Sequence, residues 1–181
     1  VCDDGVDNNC SDDADGCGLT GTMSDSDADV HITGWEAYQY AGASVASAGD
    51  VDGDGWDELI MGAYGIDDFD GAAYIINGPL SSSSTLADHT RLTALVGDSS
   101  YVGYAVAGGG DIDGNGVDDV VLGVPYADTV FVAFGPLTAD TDVSDGVRIS
   151  GERFAYAGNA VAVLDDLDGD GLADIALGEP Y

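Results

Sequence analysis

Three stretches of this chain carry oxygen-bearing side chains at alternating positions around glycines. Each follows the pattern D-x-D-x-[DN]-G-x-x-[DE], over residues 50–58, 111–119 and 166–174. When such a loop curls, side chains at positions one, three and five can converge on one ion, and glycine at position six permits the sharp turn. Position nine supplies a closing carboxylate, and the carbonyl at position seven can point inward. All of these donors are oxygens, which favours Ca²⁺ over zinc or copper.

The predicted ion ligands are five residues per loop. They are Asp50, Asp52, Asp54, Trp56 and Glu58 in the first loop, Asp111, Asp113, Asn115, Val117 and Asp119 in the second, and Asp166, Asp168, Asp170, Leu172 and Asp174 in the third. The residues at position seven contribute a carbonyl, and we expect their apolar side chains to enter the core. Asp57 and Asp118, at position eight, alternate outward and are excluded from the predicted shell. Because the carboxylates repel one another without metal, binding of about three calcium ions is expected to couple to folding.

The sequence that follows each loop distinguishes it from a helix-flanked calcium loop. An EF-hand loop closes with an acidic residue at position twelve and continues into a helix. Here position twelve is Gly62, Gly123 or Gly178, reached through ELIM, DVVL or DIAL, which are runs typical of a β-strand. One such loop could arise by chance in an acidic sequence, but three in the same register indicate a metal-binding repeat.

The loops belong to a longer internal repeat over residues 40–64, 101–126 and 156–181. In each block a Tyr stands ten positions before the first loop Asp, and a Gly follows that Asp by twelve. Hydrophobic runs closed by Gly-Pro-Leu lie between the loops at 71–80 and 128–137, and further strand-like runs occupy 29–35, 91–97 and 146–151. Each unit therefore offers about four short strands and no amphipathic helix. The sequence predicts an all-β fold of β-propeller blades, each of four antiparallel strands.

A blade cannot bury both faces alone, so neighbouring blades must stack on it. The chain holds two nearly complete units and a third that stops after its second strand, which is about three blades of a larger ring. We expect the remaining blades to come from missing sequence or from another chain. The predicted division is an Asp/Cys-rich segment and linker at 1–28, followed by the repeats at 29–181.

The charge of the chain is extreme, with 35 acidic against 3 basic residues and a formal net charge of −32. This excludes ordinary nucleic-acid binding and disfavours an anionic membrane surface, and no apolar run is long enough for membrane insertion as a helix. A salty habitat could also favour such acidity. However, 13 of the acids lie in the three loops and nine before Val30, a distribution that favours metal binding, although the two explanations can coexist.

The inventory of catalytic residues is thin. The chain has two histidines, His31 and His89, no Lys, and cysteines only in its first seventeen residues. The ligand sets look saturated, whereas a catalytic metal keeps an open position. We therefore predict that the chain is not an enzyme, although abundant carboxylates leave acid–base chemistry open. Aromatic residues could form a ligand face, but their repeat positions imply core packing for most of them: Trp35, Tyr38, Tyr40, Tyr64, Tyr126 and Tyr156.

The repeated blocks resemble FG-GAP repeats, as found in integrin alpha-subunit propellers and many secreted bacterial proteins. The Tyr-x-Gly stretch stands for Phe-Gly, and Met-Gly-Ala-Tyr, Leu-Gly-Val-Pro and Leu-Gly-Glu-Pro stand for Gly-Ala-Pro, over roughly 29–181. The resemblance implies calcium in a hairpin loop between the first two strands of a blade, with departures at Glu58 and Asn115. It also implies an extracellular calcium-binding module for adhesion or for protein or glycan interaction. The alternative is a non-catalytic propeller domain attached to a secreted hydrolase or another enzyme.

The amino-terminal segment, residues 2–18, resembles a short Asp/Asn/Cys-rich metal-binding motif of secreted bacterial proteins. The resemblance implies a disulfide between Cys2 and Cys10, with Cys17 left over. Oxygen donors for one more calcium ion are Asp3, Asp7, Asn9, Asp13 and Asp15, and an acidic, disulfide-tied linker is an equal alternative. The cysteines, the acidity and the calcium demand together favour an extracellular or cell-surface location.

Overall fold

The computed structural model describes residues 24–181, so the predicted Cys2–Cys10 disulfide and the amino-terminal oxygen donors lie outside the described residues. The described residues form two compact units. The smaller unit comprises 24–32 and Leu80–Ser84. In it the His31 N–H donates to Ser83 Oγ at 2.9 Å and the Ser84 N–H donates to the His31 carbonyl at 3.0 Å. The larger unit comprises Thr33–Pro79 and Thr85–Tyr181 and contains all three Asp-rich loops.

Short strands separated by turns make up the described chain. They are β1 Ile32–Thr33, β2 Ser44–Gly49, β3 Glu58–Ala63, β4 Ala72–Ile76, β5 Ser84–Thr85, β6 Thr90–Thr93, β7 Ala105–Gly110, β8 Asp119–Val124, β9 Thr129–Ala133, β10 Thr141–Asp142, β11 Val147–Ser150, β12 Ala160–Leu164 and β13 Asp174–Gly178. Single 3-10 turns occupy Asp25–Asp27, Leu86–Asp88, Pro125–Ala127 and Val143–Asp145. Over 24–181 there is no α-helix, and hence none with the length and apolar character that a bilayer crossing requires.

The strands form blades in the order that the repeat predicts. In the first blade β2, β3, β4 and β6 pair antiparallel, and β10 adds to β6 in parallel. The second blade pairs β7, β8, β9 and β11, and β12 pairs with β13 as the start of a third. The prediction of an all-β fold built from four-stranded antiparallel blades is confirmed. Each Asp-rich loop joins the first two strands of its blade.

Neighbouring blades bury a shared core. One apolar cluster joins Ile60 and Leu92 of the first blade to Val106, Leu122 and Phe131 of the second. A smaller cluster in the second blade is lined by partly buried side chains of the third, which include Val161 and Ile175. Each fully buried side chain of this kind stabilises the fold by about 1.5–3 kcal/mol. Blade-to-blade packing therefore holds the three loops in fixed relation within the larger unit.

The two glycine motifs of the repeat meet between blades. A Cβ built on Gly62 would lie 2.0 Å from the Gly103 carbonyl oxygen, and one on Gly123 would lie 2.1 Å from the Gly158 carbonyl oxygen. The strand glycine of one repeat thus touches the Tyr-x-Gly glycine of the next. At Gly178 the nearest atom is the Ala160 Cβ, at an ordinary 3.4 Å. Close backbone approach between blades explains why both motifs contain glycine.

A continuous row of tyrosine rings runs along the larger unit. Adjacent ring centroids lie 4.2–5.6 Å apart in the row, which consists of Tyr40, Tyr64, Tyr101, Tyr126, Tyr156 and Tyr181 and is called the tyrosine row below. The prediction that most of the aromatic candidates enter the core is wrong: Trp35, Tyr38, Tyr40, Tyr126 and Tyr156 are all exposed, Tyr38 by 79% and Tyr126 by 57%. Several row tyrosines precede the strands and have a left-handed backbone, with φ of 53° at Tyr40 and 63° at Tyr101. Strand alternation therefore does not direct their rings inward.

Candidate metal centres

The carboxylate at position one organises each loop from within. In the second loop Asp111 Oδ1 accepts the Gly114 N–H at 2.7 Å, and Oδ2 accepts the Gly116 N–H at 2.8 Å. The same bonds join Asp50 to Gly53 and Gly55, and Asp166 to Gly169 and Gly171. The glycines at positions four and six all have φ between 80° and 95°, a left-handed region that other residues rarely adopt. The glycine at position four was not among the predicted features of the loop, although it is present in all three loops.

The carboxylate at position nine anchors each loop to its blade. Asp119 is fully buried, and it accepts the Ile112 N–H at 2.7 Å and the Gly135 N–H at 2.9 Å. Glu58 is also buried and accepts the Val51 N–H at 3.0 Å and the Gly78 N–H at 3.3 Å. Asp174, which is half-buried, accepts the Leu167 N–H at 2.7 Å. In each loop the carboxylate at position nine is therefore held in place by backbone N–H donors.

Positions one, three and nine converge in every loop. Site 1 is formed by Asp50, Asp52 and Glu58, site 2 by Asp111, Asp113 and Asp119, and site 3 by Asp166, Asp168 and Asp174, and in each site one carboxylate oxygen per residue lies within 4.8 Å of the others. Calcium binds oxygens at about 2.3–2.6 Å, so two ligands of one ion can be separated by up to about 5 Å. The three groups therefore fit a calcium ion in donor type and spacing.

The predicted ligands at position five make a different contact. Oδ1 of Asp54, Asn115 and Asp170 accepts the N–H at position seven, at 2.9, 2.8 and 2.9 Å respectively. Asp54 and Asp170 do not belong to the carboxylate groups of sites 1 and 3. Their coordination of an ion, and that of the carbonyls at Trp56, Val117 and Leu172, stay predictions.

No basic side chain balances these carboxylates. The chain has no lysine. Arg91 pairs with Asp67, Arg148 Nη2 donates to Thr129 Oγ1 at 3.0 Å, and the Arg153 guanidinium lies 4.6 Å from the Phe154 ring centroid. All three arginines are thus engaged away from the loops. Three like charges held together without a counter-charge favour the binding of a cation.

Burial and backbone donors move the carboxylate pKa values in opposite directions. Desolvation raises the pKa of Glu58 and that of Asp119, because the charged form loses water, and the backbone N–H groups offset only part of this effect. In site 3 the N–H groups of Gly169 and Gly171 lower the pKa of the exposed Asp166. The buried carboxylates of sites 1 and 2 therefore gain more from a bound cation than exposed ones would.

The side chain at position seven lies outside the core in the first loop. Trp56 is 58% exposed, so the prediction that it enters the core is wrong, and Val117 and Leu172 are only half-buried. The position lies beside the Gly-Pro-Leu turn of its own blade: a Cβ on Gly78 would be 3.4 Å from Trp56 Cβ, and one on Gly135 would be 2.5 Å from Val117 Cγ1. The Trp56 side chain therefore lies beside this turn with most of its surface exposed.

Two further residues, neither of them a predicted ligand, contact the first loop. Asn77 Nδ2 donates to Asp52 Oδ2 in site 1. Asp118, excluded from the predicted shell as pointing outward, accepts the Asp50 N–H on its Oδ2 at 2.9 Å and so joins the second loop to the first. Neither contact was predicted from the sequence. The partner of Asp118 lies one repeat away, where the pattern of a single loop gives no signal.

Comparison with known proteins identifies the first and third repeats. The FG-GAP repeat family model matches residues 41–76 and 157–181. The chain is 35% identical to Integrin alpha-5 of Xenopus laevis over 121 residues, 31% identical to Integrin alpha pat-2 of Caenorhabditis elegans over 162, and 35% identical to human Integrin alpha-8 over 156. These alignments cover 65%, 77% and 78% of this chain. The chain spans only 11–14% of the length of these relatives.

Proposed function

The chain is an FG-GAP repeat protein of the integrin alpha-like β-propeller type, and from that premise we propose that it serves as an extracellular adhesion module loaded with calcium. One observation carries the calcium assignment. Within each of the three loops, carboxylate oxygens of the residues at positions one, three and nine lie within 4.8 Å of one another. The glycine-shaped loops and the absence of a basic side chain beside them support it. Similarity to integrin alpha chains supports the adhesive role and the extracellular location.

In this proposal calcium is structural. Its ligands come from both ends of a loop, since positions one and three precede the glycine turn and position nine opens the next strand. An ion that joins them closes the hairpin and removes the repulsion among the carboxylates. The five predicted donors per loop leave little room for a substrate, and no histidine or cysteine lies in the three loops. We therefore propose a non-enzymatic role.

We place the ligand-binding face at the tyrosine row. Its rings already contact one another, three pairs stacked and two pairs edge-on, and they are partly exposed, so little side-chain freedom is lost when a ligand is bound. Such a surface suits a protein or a glycan ligand, and the strong negative charge makes nucleic acid an unsuitable one. The remaining blades of the ring would come from a longer protein or from another chain.

The alternative function is a propeller domain that accompanies a secreted hydrolase or another enzyme. The same calcium sites would then stabilise a domain whose catalytic partner lies in other sequence. A catalytic domain in the same open reading frame would favour this alternative over a purely adhesive protein.

Calcium stoichiometry tests the proposal. Titration of the chelator-treated chain is expected to show about three bound ions, and Asp50→Ala, Asp111→Ala and Asp166→Ala are each expected to remove about one, because each deletes the carboxylate that organises its loop. Calorimetry measures the stoichiometry directly. Asp57→Ala is the matched control, since this exposed carboxylate lies in the first loop but outside site 1. Unchanged stoichiometry in all three loop variants would contradict the calcium assignment.

A further inference from the structure

The second and first metal loops are joined by a side chain that belongs to neither ion site. Asp118 Oδ2 accepts the Asp50 N–H at 2.9 Å, and the Asp118 N–H donates to the Asp50 carbonyl at 3.4 Å. We propose that Asp118 is a positioning residue that couples sites 1 and 2, so that an ion in site 2 strengthens ion binding in site 1. The inference rests on the proposed calcium function and deepens it.

Asp118 is held in place by site 2. It directly precedes Asp119, the buried carboxylate of site 2, and follows Val117, whose carbonyl is a predicted ligand. An ion in site 2 would therefore restrain the residue on one or both sides of Asp118. With the backbone restrained, the half-buried Asp118 side chain keeps its direction towards the first loop.

At the other end, Asp118 contacts the residue that organises site 1. The Asp50 carboxylate belongs to site 1 and accepts two backbone N–H groups of its own loop, so a shift of the Asp50 backbone shifts a ligand. The fit is close, because a Cβ on Gly49 would lie 2.1 Å from Asp118 Oδ2. A carboxylate acceptor makes a stronger hydrogen bond than a neutral one. Residues that orient ligands in this way commonly change metal affinity by about 10–100-fold when they are mutated.

The chain contains an internal comparison in the third loop. There the residue at position eight is Ala173, whose N–H donates to the Asp111 carbonyl at 2.9 Å. A Cβ on Gly110 would lie 2.6 Å from the Ala173 Cβ, so Ala173 contacts the second loop at the position where Asp118 contacts the first. The alanine side chain has no carboxylate that could accept a hydrogen bond. Coupling through a side chain is therefore expected between sites 1 and 2 and not between sites 2 and 3.

Trp56 in the first loop can be used to measure ion binding at site 1. Trp56 is the only tryptophan in the three loops, and in a Trp35→Phe background it is the only one in the chain. Terbium in place of calcium then gives luminescence sensitised by Trp56 when the excitation lies at the red edge, where tyrosine does not absorb. This signal measures the ion affinity of site 1 apart from the other sites.

A double-mutant cycle in this background tests the coupling. Asp111→Ala, which disables site 2, and Asp118→Ala are each expected to weaken terbium binding at site 1 by about 10-fold. The double variant is expected to be no weaker than either single variant, because both changes break the same link. Asp166→Ala, which disables site 3, is the matched control and is expected to change site 1 by less than about twofold.

The outcomes separate the possible roles of Asp118. If Asp118→Ala weakens site 1 equally with and without site 2, the residue only supports the first loop and the coupling is refuted. If Asp111→Ala leaves site 1 unchanged, the coupling is also refuted. Should Asp118→Ala fail to fold, Asp118→Asn keeps the shape without the charge and must weaken site 1 by about threefold only while site 2 is intact. Absence of a saturable Trp56 signal in the parent chain would contradict the calcium function itself.

Discussion

Replacement of Gly123 by alanine is expected to lower the free energy of unfolding of the larger unit by about 3 kcal/mol. The added methyl group would meet the Gly158 carbonyl oxygen at 2.1 Å, so backbone on one side of the blade interface must move. Gly62→Ala meets the equivalent Gly103 carbonyl at 2.0 Å and is expected to act similarly. Denaturant unfolding of the calcium-saturated protein measures the effect.

Gly178→Ala is the matched control for this prediction. It changes the same residue of the repeat, but its nearest neighbour is a methyl carbon at 3.4 Å, so a change below about 1 kcal/mol is expected. Equal stability losses at Gly123 and Gly178 would show that the cost comes from the strand itself and not from the contact between blades.

Removal of calcium is expected to have the largest effect on stability. A ligand that binds only the folded state at 100 times its Kd stabilises it by about 2.7 kcal/mol, so three sites that are each filled to this extent in the calcium-loaded protein would together contribute about 8 kcal/mol. Typical domains have total stabilities of about 5–15 kcal/mol. The metal-free chain is therefore expected to be marginally folded, with a strongly lowered Tm. Calorimetry with and without chelator, at fixed ionic strength, measures the change.

The control is the triple variant Asp50→Ala, Asp111→Ala and Asp166→Ala. Its Tm is expected to be low in calcium and to respond little to chelator, since the carboxylates that organise the loops are gone. A wild-type Tm that does not depend on calcium would mean that the loops are folded by their backbone hydrogen bonds alone.

The features that could be predicted from sequence are those repeated at a fixed spacing. The blades, the position of each loop between two strands and the carboxylates at positions one, three and nine all follow from local pattern. The glycine at position six is set by the turn within its own loop. Such features need only a few neighbouring residues, and three copies of them remove the ambiguity of one.

The features that could not be predicted depend on which blade lies against which. Asp118 looks like any outward carboxylate until the first loop is placed beside it, and Ala173 gives no hint that it occupies the same place. The exposure of Tyr126 and Trp56 was missed for a related reason. A hydrophobic residue at a repeat position suggests the core, whereas left-handed turns and the edges of blades determine where these rings point.

The graded burial of the strands has a consequence for local opening. Every residue of β4 and β9 is buried, whereas the residues of β12 and β13 are half-buried or exposed. Amide hydrogens exchange fastest where few apolar contacts oppose local unfolding, so exchange should be slowest in β4 and β9 and fastest in β12 and β13. The third loop joins the two strands that open most readily. In the isolated 181-residue chain an ion in site 3 is therefore expected to be released sooner than the other two, and a further blade packed on β12 and β13 would remove this difference by burying both strands.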